Sequence, residues 1–134
     1  MVDYEPSPVG ARLVFVALRV RDLEASARFY RDAFGIPLRA AGDSDEETHY
    51  EYSWRDGAYL HFALFPAAPG EQSRRAEVAF FVDDVDVAHA RAVASGADVT
   101  AAPHSEPWGR TAGYRDPDGN AVGLTQRPGG SCIW

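Results

Sequence analysis

The chain has 134 residues, close to the ~100 to 150 of a typical domain, and its 46% hydrophobic and 25% charged shares exclude a disordered, collagenous or coiled-coil chain. A formal charge of -7 repels phosphate backbones and draws in cations, so nucleic acid is not an expected partner. All 13 basic residues are arginine, which removes Schiff-base chemistry, pyridoxal phosphate attachment and a phosphate-loop lysine, and the single Cys132 removes internal disulfides and thiolate metal clusters.

The N-terminal lead carries Asp3 and Glu5 in place of a basic signal region. The longest apolar run, Leu13 to Leu18, falls far short of the ~18 to 20 residues of a membrane span, so a cytoplasmic protein with no membrane partner is expected. Pro6 and Pro8 make this lead either an arm toward a partner subunit or a loose end. Arg12 to Val20 then reads as a strand rich in Val, Leu and Phe. Asp22 caps a helix whose Leu23, Ala27, Tyr30 and Phe34 recur at helical spacing until Gly35 and Pro37 close it. Strands are expected at Leu38 to Gly42, Thr48 to Trp54 and Ala58 to Phe65, with a hairpin signal at Asp56-Gly57. The acidic run Asp43 to Glu47 reads as a solvated loop that in a binding protein would steer cations.

After the Pro, Gly and polar stretch Pro66 to Arg74 the order repeats. A strand around Glu77 to Val82 leads to the cap Asp84, and a helix with the narrow stripe Val85, Ala88 and Ala92 ends at Gly96. Strands follow at Asp98 to Ala102, Arg110 to Arg115 and Ala121 to Gln126, with Asp118-Gly119 as the second hairpin signal. Sliding the chain by 62 places sets Val16, Ala17, Val20 and Asp22 on Val78, Ala79, Val82 and Asp84, and Asp56, Gly57, Leu60 and Phe62 on Asp118, Gly119, Val122 and Leu124. The chain is therefore read as one domain of two β-α-β-β-β modules, residues 12–65 and 75–127. This is an α+β class in which two curled mixed sheets form a cup.

Each module covers one sheet face with its helix and leaves the other bare. In the first strand Val14, Val16, Leu18 and Val20 mark the helix side, so Leu13, Phe15, Ala17 and Arg19 line the cup. By the same offset Glu77, Ala79 and Phe81 point inward, with Tyr59, His61 and Ala63 from one last strand and Ala121, Gly123 and Thr125 from the other. His61 and Glu77 thus point at one space. Tyr50, Tyr52 and Trp54 form a second stripe that alternation alone assigns to neither pocket, core nor dimer interface.

Val16-Ala17-Leu18-Arg19-Val20-Arg21-Asp22-Leu23 with Phe29-Tyr30, Val78 to Val85, and Asp116-Pro117-Asp118-Gly119-Asn120 together resemble the vicinal oxygen chelate superfamily. That superfamily includes glyoxalase I, extradiol dioxygenases, the fosfomycin resistance enzymes and the bleomycin resistance proteins. The resemblance implies paired β-α-β-β-β modules, usually as a homodimer. It also implies four inward metal positions, one on the first and one on the last strand of each module. Here these fall on Phe15, His61, Glu77 and Gly123, two of which carry no donor, whereas catalytic sites normally present three protein ligands. No catalytic residue, no metal and no other cofactor is therefore assigned.

Glu106-Pro107-Trp108-Gly109-Arg110 resembles the bleomycin resistance segment whose tryptophan stacks on the drug, which puts that role on Trp108. The favoured expectation is metal-independent binding and sequestration of a small, partly aromatic, cationic compound, an antibiotic-resistance role. The ligand contacts are Phe15, Tyr59, His61, Glu77, Phe81 and Trp108. The alternative is a metal-dependent glyoxalase or dioxygenase-type lyase or isomerase, with His61 and Glu77 as ligands and a further donor such as His49 or Glu51. A third reading is a regulatory module with a vestigial cup.

Overall fold

The computed structural model describes residues 3–42 and 47–127, so the acidic run from Asp43 to Glu46 and Cys132 lie outside the described residues. The elements are β1 (Phe15–Val20), α1 (Leu23–Phe34), β2 (Arg39–Ala41), β3 (His49–Trp54) and β4 (Leu60–Pro66), then β5 (Glu77–Val82), α2 (Val85–Ala94), β6 (Asp98–Glu106), β7 (Gly109–Arg115) and β8 (Ala121–Gln126). They form two four-stranded mixed sheets, ordered β1-β4-β3-β2 and β5-β8-β7-β6. In each, the first strand pairs parallel to the last and the other neighbours run antiparallel. The class is the expected α+β.

Local chemistry sets the helix ends. The Asp22 carboxylate accepts from the Ala25 N–H at 3.0 Å, and Asp84 accepts from the Asp86 and Val87 N–H groups at 2.9 and 3.1 Å. Each cap is worth about 1 kcal/mol. Gly35 closes α1 in the left-handed conformation, where a Cβ would be strained. The small residues of α2 let it lie close to α1: Arg91 Nε and Ser95 Oγ donate to the Asp32 carbonyl at 2.9 and 3.1 Å, satisfying an orphan carbonyl at the end of α1.

The even positions of β1 turn to the helix and are buried at Leu18 and Val20, while Phe15, Ala17 and Arg19 are exposed. The helix-side faces of the two sheets share one core. Phe62 and Phe80 meet across it with ring centroids 5.5 Å apart, Tyr30 lies 5.6 Å from Phe62, and Phe34 lies 5.3 Å from Tyr114. The Tyr50, Tyr52 and Trp54 stripe is on this side, packed against the core. Tyr30 also joins the modules through hydrogen bonding, donating its hydroxyl to Asp116 Oδ2 at 2.8 Å in the turn before β8. Asn120 in that turn holds the linker, with Oδ1 accepting from the Ala76 N–H and Nδ2 donating to the Ser73 carbonyl.

Three expectations change. β1 starts at Phe15 and not at Arg12, because its partner β4 begins only at Leu60. β6 runs on past Pro103 to Glu106, since it is an edge strand where a missing N–H is tolerated, and its register shifts between Val99 and Ala101 and again between Ala101 and His104. Most important for the site, the single offset of 62 fails at the last strand. Ser53 pairs with His61 across seven intervening residues, whereas Arg115 pairs with Ala121 across five, so the hairpin of module one is two residues longer. His61 accordingly occupies the place of Ala121, and Gly123 that of Ala63.

Candidate functional site

The bare face of module one is a band of rings beside a polar network. Phe15 pairs with His61 across β1 and β4 and stacks on it at 5.5 Å, and the Tyr59 ring lies nearly parallel to the imidazole with its centroid 6.3 Å away. Phe65 continues the band between Phe15 and His49, which lies 4.6 Å from it in stacked geometry. Arg55 sits over Tyr59 and Arg19 over Phe65 at 5.6 and 4.8 Å. Beneath the rings, His61 Nδ1 lies 2.6 Å from Ser53 Oγ and 3.3 Å from the Tyr59 hydroxyl, while its Nε2 lies 3.8 Å from Glu51 Oε1. Glu51 is bonded more closely to His49 Nε2, at 2.7 Å. His61 is thus held by Ser53, Tyr59 and Glu51.

The bare face of module two has the opposite character. Register places Ala79, Gly123, Gly113 and Ala101 in one row across all four strands, a floor nearly free of side chains. Phe81, Thr125, Thr111 and His104 form the row on one side, and Glu77, Ala121, Arg115 and Asp98 the row on the other. A Cβ on Gly113 would come within 2.8 Å of Thr100 Oγ1, so the glycine is what lets these strands lie flat. A cavity of about 360 Å³ opens over this floor, lined by Glu77, Ala79, Thr100, His104, Thr111 and Gly123 among others.

A larger cavity, about 500 Å³, lies at the seam where β5 meets the helix-side face of sheet one, walled by Trp54, Leu60, Phe62, Phe80 and Phe81 with Asp56, Glu77 and Arg127 as its charged groups. Trp54 lies 6.0 Å from Phe80, and Arg127 is placed over Phe81 at 5.5 Å. Glu77, Val78 and Ala79 line both cavities. Glu77 is exposed and makes no hydrogen bond or ion pair among the described residues. Because it is exposed, its charge carries no burial cost that a partner would have to offset.

The six expected contacts divide into groups. Phe15, Tyr59 and His61 stand together on module one, and Glu77 and Phe81 stand together on module two at the seam. His61 lines neither of these cavities, so it shares neither of them with Glu77. Trp108 projects from the β6–β7 turn, 45% exposed, and lines neither cavity. No group of three or more His, Cys, Asp or Glu side chains among the described residues is arranged to hold a metal ion. Sequence motifs left the face of Trp54 open and pointed to no site role for Asp56 or Ser53, nor to the pairing of His49 with Glu51. The parity of β3 was the available signal, because it puts Trp54 on the helix side and Glu51 and Ser53 beside His61. His89 of α2 is tied to the core, its Nδ1 lying 2.7 Å from the Tyr114 hydroxyl.

The comparisons with known proteins agree with this geometry. Among curated proteins none matches the chain. Solved structures do. TnmS3, an antibiotic binding protein from Streptomyces sp. CB03234, is 26% identical, with 88% of this chain and 97% of that chain covered and a TM-score of 0.67. A glyoxalase/bleomycin resistance protein from the same strain is 27% identical, with 86% and 100% covered and a TM-score of 0.65. A glyoxalase-related enzyme from Fulvimarina pelagi is 25% identical, with 87% and 88% covered and a TM-score of 0.64. The family model of the Glyoxalase/Bleomycin resistance protein/Dioxygenase superfamily matches residues 12–124, and the chain belongs to that superfamily.

Proposed function

We propose that this protein binds and sequesters a small, partly aromatic, cationic compound without the help of a metal ion, in the manner of an antibiotic-binding protein. The observation that carries this reading is Glu77, an uncommitted carboxylate where two cavities meet, beside the aromatic walls Trp54, Phe80 and Phe81. A cation held there gains electrostatic attraction, and a planar group gains apolar contact on the seam walls or on the Gly113 and Gly123 floor. Phe15, Tyr59, His61 and Trp108 supply further aromatic contact in this reading. Support comes from the superfamily, whose relative TnmS3 is an antibiotic binding protein.

A homodimer belongs to the proposal. Phe15 and Phe81 are 47% and 42% exposed on the bare faces, and Leu13 is more exposed still. Apolar area of this kind on a soluble chain marks a surface used by a partner or ligand. The protein is proposed to work in the cytoplasm, and no helix among its described residues is long and apolar enough to cross a membrane.

The competing reading is a metal-dependent lyase or isomerase using His61 and Glu77. It stands second because His61 lines neither of the two cavities that Glu77 lines. Metal analysis of untagged protein together with a bleomycin titration followed by tryptophan fluorescence separates the two. The proposal expects negligible divalent metal and saturable quenching by bleomycin or another cationic aromatic antibiotic. About one tightly held ion per chain, lost in His61→Ala, would overturn it.

A further inference from the structure

Module one's bare face holds a serine and a histidine within hydrogen-bonding distance, neither of which lines the two cavities. Ser53 Oγ and His61 Nδ1 are 2.6 Å apart, well inside the range of a hydroxyl donating to an imidazole. With Nδ1 accepting, the proton of the neutral ring sits on Nε2, which faces Glu51 Oε1 at 3.8 Å. Such contacts commonly tighten only around the substrate. Glu51 is itself fixed from behind. His49 Nδ1 lies 2.8 Å from the Glu47 carbonyl, which can only accept, and its Nε2 lies 2.7 Å from Glu51, so a proton must lie on the His49–Glu51 bond. Tyr59 completes the cluster, with its hydroxyl 3.4 Å from Ser53 Oγ. Nucleophile, base, orienting carboxylate and a hydroxyl donor beside the nucleophile are the parts that acyl transfer requires, and triads are identified by these roles and not by chain order.

We propose that this face hydrolyses small aryl esters through an acyl-Ser53 intermediate. Ser53 Oγ attacks the ester carbonyl as its proton passes to His61 Nδ1, and Tyr59 donates to the oxyanion that forms. The carbon–oxygen bond to the aryl oxygen then breaks as His61 passes its proton to that oxygen, so a phenol leaves and the acyl group stays on Ser53. His61 next takes a proton from water as the water oxygen attacks the acyl group, and passes it to Ser53 Oγ as the acid is released. Ser53, His61 and Tyr59 are the catalytic residues, and Glu51 is a positioning residue. The aryl class follows from the neighbours: Phe15 and Tyr59 lie beside the imidazole with flat apolar surface, and Arg55, which makes no hydrogen bond or ion pair among the described residues, stands over Tyr59 where the aryl oxygen would depart. The site opens to solvent through Tyr59, which is 41% exposed. The binding proposal shares Tyr59 and His61 with this site but gives no role to Ser53 or Glu51, so acylation of Ser53 and binding at the Glu77 cavities succeed or fail separately.

The test is p-nitrophenyl acetate with the purified full chain, followed by release of nitrophenolate and by mass spectrometry of the acid-quenched protein. Cleavage at arginine puts Ser53 in the fragment Ala40 to Arg55, where fragmentation separates Ser53 from Ser44, Tyr50 and Tyr52. The expected result is an initial burst and an acetyl group on Ser53. Ser53→Ala and His61→Gln should each lower the rate about 100-fold. Glu51→Gln should lower kcat about 10-fold with KM unchanged, and Glu51→Asp should recover part of it, a split that a merely structural role would not give. Acetyl found on Tyr59 or elsewhere in the wild type, turnover no faster than buffer, or an unchanged rate in folded Ser53→Ala would each overturn the proposal. The wild-type labelling position needs no variant, so it decides even if a substitution unfolds the chain.

Discussion

Replacing Tyr30 by Phe removes one oxygen from the middle of the protein and little else. Tyr30 is fully buried, and its hydroxyl donates to Asp116 Oδ2 at 2.8 Å, linking α1 of module one to the turn before β8. Phe fills the same volume, so no cavity opens. The carboxylate is not orphaned, because Asn120 Nδ2 still donates to Oδ2 at 3.0 Å and the Asp118 and Asn120 N–H groups still donate to Oδ1 at 2.9 and 2.8 Å. What is lost is one hydrogen bond to a charged group, about 2 kcal/mol. For a chain of this size that lowers the thermal midpoint by roughly 6 to 8 °C. Urea and thermal unfolding, each read by circular dichroism and tryptophan fluorescence, measure it. Tyr50→Phe is the control, since its bond to Glu24 is at the surface and its loss should leave both unfolding curves close to those of the parent. Burial first, and then the Asp116 carboxylate, raise the Tyr30 phenol far above the ordinary tyrosine range. Its folded-state value exceeds the unfolded one, so the stabilisation is complete below about pH 10 and is lost as pH rises above that point, where only the unfolded chain ionises. Tyr30→Phe should flatten part of this alkaline loss. A destabilisation below about 0.5 kcal/mol, with an unchanged alkaline limb, would refute the claim that this bond joins the modules.

Glu77→Gln should weaken binding of a cationic aromatic antibiotic about 2- to 5-fold and reduce its salt dependence without moving the thermal midpoint, because the carboxylate is exposed. Gly123→Ala puts a methyl group on the floor of module two, 3.4 Å from Ala79 Cβ. Stability should change by less than about 1 kcal/mol while affinity for a planar ligand falls, as calorimetry and titration together would reveal. Burial raises the Asp118 carboxyl, with the Asp116 charge adding to the effect, against the Arg21 N–H and guanidinium, which lower it. Its ionised form is therefore a cost at neutral pH that is relieved as pH falls from the folded toward the unfolded value. Asp118→Asn should be more stable than the parent near pH 7 in urea titrations, and the difference should vanish below about pH 4.

The fold was legible because its signals are local. Asp22 and Asp84 cap where their spacing to the apolar stripe says they must, and parity in β1 and β5 separates buried from bare positions. The site was legible only in part because it depends on register. Nothing in the run from Trp54 to Leu60 reveals that this hairpin is two residues longer than its counterpart, and the shared Asp-Gly turn signal conceals it. That difference sets His61 opposite Ser53 and Phe15. It also dissolves the correspondence of His61 with Gly123 on which the four inherited metal positions were mapped. Trp54 was placed correctly in a strand but without a face, since a tyrosine and tryptophan stripe suits a core wall as well as an interface. Here the β5 edge decides, by bringing Phe80 to within 6.0 Å of it.

The duplicated scaffold separates stability from function by parity, and two adjacent residues test this directly. Phe80 faces the helix side, where its ring meets Phe62, Trp54 and Tyr30 between 5.5 and 6.4 Å. Phe81, next in the same strand, turns to the bare face and is 42% exposed. Truncating Phe80 to Ala removes a ring that joins both modules and should cost about 3 kcal/mol. Truncating Phe81 removes a ring that is 42% exposed and should cost about 1 kcal/mol, with the larger loss appearing in ligand affinity. The same division explains how the two bare faces diverged into a ring-and-histidine network on one module and a glycine floor on the other. The helix-side residues Leu18, Leu64, Tyr114, Val122 and Leu124 hold both sheets, so the opposite positions were free to change. If Phe81→Ala unfolded the chain as readily as Phe80→Ala, the bare face would be part of the core, and the chemistry assigned to it here would lose its basis.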